Sequence, residues 1–317
     1  MPASATRKYR PETHLVHGGT LRSQFGETSE SLYLTQGYVY DSSLQAERRF
    51  KNEEPGYQYS RFSNPTVTMF EQRMALMEGA EAARATATGM AAVNTALMGQ
   101  VRAGDHIVAS KQLFGSCRYI VEDHLPRYGV TSTLVDGTDL DQWKKAVRKN
   151  TKTFFLESPT NPNLEVLDIK AIAKIAHDAG ATLVVDNVFS TPLFQHPLEL
   201  GADCVVYSAT KHIDGQGRCL GGVILGSEKF ITDNVHNLIR QTGPSLSPFN
   251  AWVLLKGLET LSVRVRRQTD TAATVAVALV DHPKVTRMIY PGRLRSEERR
   301  VGKECGYQCR SRWSPYH

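Results

Sequence analysis

The strongest constraint on the fold is that short, continuous apolar runs alternate along the chain with stretches of helical periodicity. The apolar runs lie at residues 107–109, 131–135, 154–156, 183–185 and 204–207. Continuous apolar runs are typical of strands that are covered on both faces, as in parallel sheets. One helical stretch begins after Asp168 and stops at Gly180. The alternation therefore predicts an α/β fold, with a parallel sheet between layers of helices.

The segment before this region has a different pattern. Residues 1 to about 60 lack sustained periodicity, and we expect an extended arm that another element must hold down. Asn64 can cap a helix and Pro65 can occupy its first position. The methionines that follow at helical spacing, such as Met69, are expected in the core.

The segment after residue 248 contains helical patterns at 252–265 and 272–280 and then a candidate strand at 285–290. A single strand cannot form a stable layer, because a sheet needs partner strands. We therefore expect the chain to end inside a domain that it has only begun.

The charge of the chain is distributed unevenly. Its 317 residues include 38 Lys and Arg against 32 Asp and Glu, a net charge of +6. Residues 293–317 hold seven of these basic and three of these acidic residues, and so carry +4 of the total. They lack apolar periodicity, and we expect a non-native tail. Nucleic-acid binding would rest on this charge alone, so no nucleic-acid partner is predicted.

Other sequence features argue against membrane, disulfide and metal classes. No apolar run is long enough for a transmembrane helix, and the first 14 residues lack the apolar stretch of a signal peptide. The five cysteines are scattered and odd in number, which favours reduced thiols in the cytoplasm. Cys305 and Cys309 are spaced CxxxC with no second pair, so no metal site is predicted.

Polar residues follow two of the apolar runs, at the sheet edge where ligands of parallel sheets bind. Asp186 ends the run at 183–185, and a buried carboxylate there should face a cation or a strong donor. A helix cap is the alternative interpretation. Lys211 follows the run at 204–207, where burial would favour the free amine, a nucleophile for Schiff-base formation. Both side chains could reach one ligand from neighbouring strand ends.

A turn of small residues at 86–92 leads into a further helix. Free N–H groups and the helix dipole make such an N-terminus a phosphate site, to which Ser208 and Thr210 could add hydroxyls. Tight packing alone explains the turn equally well. One ligand nevertheless requires a lysine, a carboxylate and a phosphate site together, and that ligand is pyridoxal 5′-phosphate (PLP). Dinucleotide and P-loop motifs do not occur.

Five motifs, in order along the chain, resemble those of the Cys/Met-metabolism family of PLP-dependent enzymes. They are Tyr59-Ser60-Arg61-Phe62-Ser63-Asn64-Pro65-Thr66, Thr88-Gly89-Met90-Ala91-Ala92, Glu157-Ser158-Pro159-Thr160-Asn161-Pro162, Val185-Asp186-Asn187 and Ser208-Ala209-Thr210-Lys211. The resemblance implies the aspartate-aminotransferase-like fold (fold type I), with a mostly parallel seven-stranded sheet and a truncated C-terminal α/β domain. The implied divisions are an arm at 1–61, a PLP-binding large domain at 62–250, the start of the C-terminal domain at 251–292 and the tail at 293–317.

The resemblance also implies roles for individual residues. The catalytic residues would be Lys211, which binds the cofactor covalently and shuttles protons, Asp186, which pairs with the ring nitrogen, and Phe114, which stacks on the ring. Asn161 would lie near the cofactor's hydroxyl. The residues implied to hold the phosphate are Gly89, Met90, Ser208, Thr210, Tyr59 and Arg61. The last two would reach across from a neighbouring subunit of a homotetramer.

Within the family, the sequence is most similar to the branch that replaces the succinyl group of O-succinylhomoserine with sulfide, giving homocysteine and succinate for methionine biosynthesis. Phe114 stands where many relatives have a tyrosine, so proton transfer by that ring is excluded. Activity on O-acetylhomoserine, cystathionine formation and γ-cleavage remain alternatives. Relatives continue beyond residue 292 and supply there the arginine that binds the substrate carboxylate. An inactive PLP-binding fragment is therefore a further alternative.

Overall fold

The computed structural model describes residues 9–291, and a seven-stranded sheet forms their centre. Its strands are β1 (Ala82–Thr86), β2 (His106–Ser110), β3 (Thr131–Val135), β4 (Thr151–Glu157), β5 (Thr182–Asp186), β6 (Cys204–Ser208) and β7 (Gly222–Gly226). They are ordered β1-β7-β6-β5-β4-β2-β3. Strands β2 to β6 pair in parallel, and β7 runs antiparallel to both of its neighbours. The mostly parallel sheet is confirmed.

The apolar runs correspond to strands β2 to β6, and their side chains alternate between two cores. Leu183 and Val185 belong to the core on one face of the sheet, and Val184 belongs to the core on the other face. This double burial explains why the runs are continuous. Strand β1 was not indicated by an apolar run, because Ala82–Thr86 holds alanine, arginine and threonine in place of large apolar residues.

Helices cover both faces of the sheet. They are α1 (Pro11–His17), α2 (Ser43–Phe50), α3 (Pro65–Glu78), α4 (Gly89–Met98), α5 (Gly115–Tyr119), α6 (Leu140–Ala146), α7 (Ile169–Asp178), α8 (Thr191–Phe194), α9 (Glu228–Phe230), α10 (Asn237–Thr242), α11 (Pro248–Glu259) and α12 (Leu261–Leu279). Helices α3, α7 and α11 contribute to one core, and α4, α5 and α10 contribute to the other.

The capping signals read from the sequence operate in two of these helices. The side chain of Asn64 accepts a hydrogen bond from the Thr66 N–H at 2.9 Å and so starts α3. The Met69 side chain of α3 is fully buried, as expected. The Asp168 carboxylate likewise accepts from the Ala171 N–H at 3.0 Å at the start of α7.

The N-terminal arm is more ordered than the sequence indicated. It contains α1 and α2, and Leu15 of α1 is buried in the main core. The guanidinium of Arg73, itself fully buried, donates to the Leu15 and Gly18 carbonyl oxygens and pairs with Glu30. The expected extended arm thus contains two short helices, and a buried charge of the same chain, that of Arg73, holds down its first part.

The end of the described region also differs from expectation. The boundary between the two predicted helices, at 252–265 and 272–280, lies earlier in the structure: α11 ends at Glu259, and α12 then continues without a break to Leu279. Residues 285–290 form no strand, and within 9–291 no neighbouring strand is available to pair with them. A strand needs such a partner for its backbone groups. The expectations for residues 293–317, including Cys305 and Cys309, lie outside the described residues.

None of the helices between residues 9 and 291 is both long enough and apolar enough to cross a membrane. The same residues hold no cluster of three or more potential metal ligands.

Candidate active site

Strands β4, β5 and β6 bring polar side chains together where they end. Glu157 and Asp186 are directly paired residues at the ends of β4 and β5, and Ser208 ends β6. Because the three strands are parallel, all of these side chains lie at one edge of the sheet. The edge therefore carries two carboxylates and a hydroxyl on adjacent strands.

Asp186 is a buried carboxylate, with 8% of its surface exposed. In the described part of the chain, the Val188 N–H, at 3.1 Å from Oδ1, is the one donor to this carboxylate. Burial raises the pKa of Asp186 to about 7. A positively charged group is therefore the partner that suits this carboxylate. The N–H contact is local, as in a helix cap, but it leaves the second oxygen free for a ligand.

Glu157 is a site residue to which the sequence assigned no role. Its Oε2 accepts a hydrogen bond from the Phe114 N–H at 2.9 Å. Burial, together with the neighbouring charge of Asp186, raises the pKa of Glu157 to about 8. Its position at the end of an apolar run, in the same motif as Asn161, is the sequence feature that could have identified Glu157 as a site residue.

The N-terminus of α4 forms a cradle against β6. The Thr88 hydroxyl caps the helix by accepting from the Ala91 N–H at 3.0 Å. The N–H groups of Gly89 and Met90 donate to no acceptor among residues 9–291. A Cβ atom at Gly89 would lie 2.5 Å from the Ser208 Cβ, so only glycine allows the two segments to meet this closely. Two free amides thus lie beside the Ser208 hydroxyl, as a phosphate site requires.

Thr210 lies in the turn after β6, next to this cradle. Its hydroxyl accepts from the Gly221 N–H at 3.2 Å and lies 3.3 Å from the Gly221 carbonyl oxygen. Ser208 pairs with Gly222 across β6 and β7, so the same turn is held at its base by the sheet. The structure therefore brings Gly89, Met90, Ser208 and Thr210 to one place.

Lys211 projects from this turn and is exposed in the described chain. The expectation that it would be buried was wrong, because the lysine lies beyond the end of β6, where the turn leaves the sheet. The backbone of the turn is ordered: the Gly215 N–H donates to the Lys211 carbonyl oxygen at 2.8 Å. Its side chain makes no hydrogen bond or ion pair with residues 9–291, so the amine is available to a ligand.

Phe114 and Asn161 lie on loops beside the two carboxylates. Phe114 directly precedes α5, and 44% of its surface is exposed, so its ring can still cover a ligand. Asn161 is partly buried and follows β4. The Phe114 N–H donates to the Glu157 carboxylate, and the Asn161 backbone N–H acts to lower the pKa of the same group. One buried carboxyl group thus lies beside both loops.

Tyr59 and Arg61 contact their own chain in this structure. The Arg61 guanidinium lies over the Tyr59 ring, 5.4 Å from its centroid, and donates to the Arg240 carbonyl oxygen. The role of both residues at a neighbouring subunit's phosphate stays a prediction.

These residues fit PLP in three independent respects. The free amides at the N-terminus of α4 suit a phosphate. The Asp186 carboxylate, with one N–H donor in the described chain, suits a protonated ring nitrogen. The Lys211 amine, which has no hydrogen bond or ion pair there, suits an aldehyde.

Comparison with known proteins leads to the same cofactor. The family described as "Cys/Met metabolism PLP-dependent enzyme" matches residues 12–305. O-succinylhomoserine sulfhydrylase of Mycobacterium tuberculosis is 54% identical over 276 residues, which are 87% of this chain and 68% of the relative. The enzyme of the same name from Pseudomonas aeruginosa is 46% identical over 89% of this chain and 70% of its own length. L-methionine γ-lyase of Fusobacterium nucleatum is 42% identical over 90% of this chain and 73% of the relative.

Solved structures share the fold. That of metB from Corynebacterium glutamicum superposes with a TM-score of 0.87 at 32% identity, covering 95% of this chain and 75% of that one. A putative O-acetylhomoserine (thiol)-lyase from Campylobacter jejuni superposes with a TM-score of 0.85 at 31% identity, covering 90% and 79%. The Campylobacter structure carries N′-pyridoxyl-lysine-5′-monophosphate.

Proposed function

Since the chain belongs to the Cys/Met-metabolism family of PLP-dependent enzymes, with the fold type I architecture of that family, we propose that it catalyses a γ-replacement. In this reaction O-succinylhomoserine and sulfide give homocysteine and succinate, a transfer that forms a carbon–sulfur bond in methionine biosynthesis. The observation that carries the choice of reaction is the 54% identity to an O-succinylhomoserine sulfhydrylase. The 46% identity to a second enzyme of that name supports it.

The residues of the site divide the work of holding PLP. The Gly89 and Met90 amides bind the phosphate together with the Ser208 and Thr210 hydroxyls. The Asp186 carboxylate keeps the ring nitrogen protonated, and the positive charge opposite stabilises the ionised form of this buried acid.

Lys211 attaches the cofactor and acts as the base of the reaction. When bound, PLP supplies an electron sink for the charge that develops at the substrate's α-carbon. The Lys211 amine takes the α-proton and assists loss of the β-proton, since it projects from the turn after β6 at this edge of the sheet. Phe114 covers the ring and Asn161 lies near its hydroxyl. A phenyl ring cannot exchange a proton, so Phe114 favours a reaction that needs no tyrosinate.

A γ-cleavage is the second candidate, because an L-methionine γ-lyase is 42% identical over 90% of this chain. Transfer from O-acetylhomoserine and cystathionine formation belong to the same comparison. Purified protein should be offered O-succinylhomoserine and O-acetylhomoserine, each with sulfide and with cysteine, and methionine alone. Homocysteine from the acetyl ester at an equal or greater rate would rule out the succinyl assignment. Release of methanethiol from methionine as the main activity would favour the cleavage.

Assembly is the remaining part of the proposal: a cytoplasmic homotetramer in which active sites are shared across each dimer. The arm at 1–61 would contact the neighbouring subunit, next to a large domain at 62–250 and the beginning of a second domain at 251–292. Phe25 and Val39 of the arm are 85% and 94% exposed, and apolar side chains this exposed are typical of an interface. Light scattering of the intact protein tests this directly, since a monomer would contradict it.

An inactive PLP-binding fragment is the alternative to an enzyme. It would bind the cofactor and turn over none of these substrates. Activity that appears only when a longer C-terminal segment of a relative is joined after residue 292 would support this alternative.

A further inference from the structure

The turn that carries Lys211 is hydrogen-bonded to Arg264 of α12. We propose that Arg264 is a positioning residue, which keeps this turn in the geometry that the attachment of PLP to Lys211 requires. The inference rests on the proposed role of Lys211 as the attachment point.

The contacts of Arg264 join the turn to the helices behind it. Its Nη1 donates to the His212 carbonyl oxygen at 2.9 Å, and its Nη2 lies 3.4 Å from the Ile213 carbonyl oxygen. The same Nη2 donates to the Gly257 carbonyl oxygen, in the last turn of α11, at 2.8 Å. One planar guanidinium therefore links the two residues that follow Lys211 to a helix C-terminus, where a cation is favoured.

The space around this guanidinium is shaped to fit it. A Cβ atom at Gly215 would lie 1.9 Å from the Arg264 Nη1, and the backbone φ of Gly215 is +69°. A Cβ atom at Gly257 would lie 2.3 Å from the Ile213 carbonyl oxygen. Two glycines thus allow the turn, α11 and the arginine to approach more closely than any other residue would permit.

The turn is buried at Ala209, Ile213 and Asp214 and exposed at Lys211. The Lys211 side chain makes no hydrogen bond or ion pair with residues 9–291, and so does not hold the turn itself. The Asp214 N–H donates to the Ala209 carbonyl oxygen at 2.9 Å, which closes the turn but does not tie it to the helices. A lysine at position 264 would keep the charge but lose the fork that spans several carbonyl groups.

The test separates the attachment of PLP from its binding. Attachment occurs when the free amine of Lys211 attacks the aldehyde carbon, a C=N bond forms and one water molecule leaves. Pyridoxamine 5′-phosphate has the same ring and phosphate but no aldehyde, so its affinity reports binding alone. The variants are Arg264→Gln and Arg264→Lys, and the matched control is Arg267→Gln, an exposed arginine of the same helix.

For Arg264→Gln we expect attachment at saturating PLP to slow by about tenfold or more, since loss of one charge-assisted hydrogen bond corresponds to at least that factor. The affinity for pyridoxamine phosphate should stay within about threefold of that of the unsubstituted protein, a change smaller than the loss of one charge-assisted hydrogen bond would cause. Arg264→Lys should give an intermediate rate. Rates equal to those of Arg267→Gln, or equal losses of rate and of pyridoxamine phosphate affinity, would overturn the proposal.

Two further measurements keep the outcomes distinct. Borohydride reduction and peptide mapping of the unsubstituted protein should place the cofactor on Lys211; another modified residue would contradict the proposed site and not the role of Arg264 alone. If Arg264→Gln does not fold, the rate and affinity of Arg264→Lys decide by the same comparison with the control.

Discussion

Replacing Gly89 by alanine tests the phosphate cradle directly, because the structure gives the size of the disturbance. The added Cβ would lie 2.5 Å from the Ser208 Cβ and 2.8 Å from its Cα, whereas ordinary contacts lie at 3.4–4 Å. Ser208 or the start of α4 must therefore move by roughly 1 Å, since one of the clashing atoms belongs to the backbone. A shift of this size separates the Ser208 hydroxyl from the free amides of the helix.

The expected loss is one charge-assisted hydrogen bond to phosphate, about 1.5–3 kcal/mol, or a dissociation constant for PLP raised about 10- to 150-fold. Titration of the cofactor-free protein with PLP, followed by absorbance, measures this constant. Gly37→Ala is the control, because the nearest atom to a Cβ there is the Gln58 carbonyl oxygen at 4.0 Å. Equal PLP affinity in the Gly89 and Gly37 variants would refute the assignment of the cradle.

Three further predictions concern other parts of the molecule. Lys211→Ala should abolish the yellow colour of the purified protein and its activity while leaving the melting temperature of the cofactor-free form nearly unchanged, because the side chain is exposed; a colourless wild type after addition of PLP would contradict this. Glu78 is fully buried, and burial raises its pKa to about 8 from 4.5, so the folded state binds its proton more tightly than the unfolded state. Between pH 5 and 8 Glu78 is ionised in the unfolded chain but stays protonated in the folded protein, so the free energy of unfolding should fall by about 1.4 kcal/mol per pH unit. Urea unfolding should show a smaller fall with pH in Glu78→Gln, and the same fall in both proteins would exclude the role of Glu78. Arg73→Met should lower the free energy of unfolding by about 3–5 kcal/mol, since it leaves the buried Glu30 paired only with Lys256, and a change below about 1 kcal/mol in chemical denaturation would show that the arm is not held by this charge.

Local signals were sufficient for much of the fold and for part of the site. The continuous apolar runs predicted strands β2 to β6, and capping residues such as Asn64 predicted where helices begin, because burial and capping act over a few neighbouring residues. The same reasoning placed Asp186 at the end of a buried strand. The family resemblance added the number of strands and the roles of individual residues.

Other features depended on segments that are far apart in the chain. Strand β1 joins the sheet by pairing with β7, although its own residues are weakly apolar. Arg73 holds an arm more than 40 residues away, as its contact with Glu30 shows. The candidate strand at 285–290 was wrong for the same reason, since a strand exists only where another strand can pair with it.

By itself, then, the sequence determined the α/β class, the strand ends that carry Asp186 and Ser208, and the chemistry that points to PLP. Only the tertiary structure decided that Gly89 packs against Ser208 and that Glu157 lies beside Asp186 on the neighbouring strand. It also decided that Arg264 hydrogen-bonds to the turn of Lys211. The physical reason is range. Helix caps and strand burial are encoded by neighbouring residues, whereas these contacts join residues up to 119 positions apart and arise only when sheet register and helix packing bring them together.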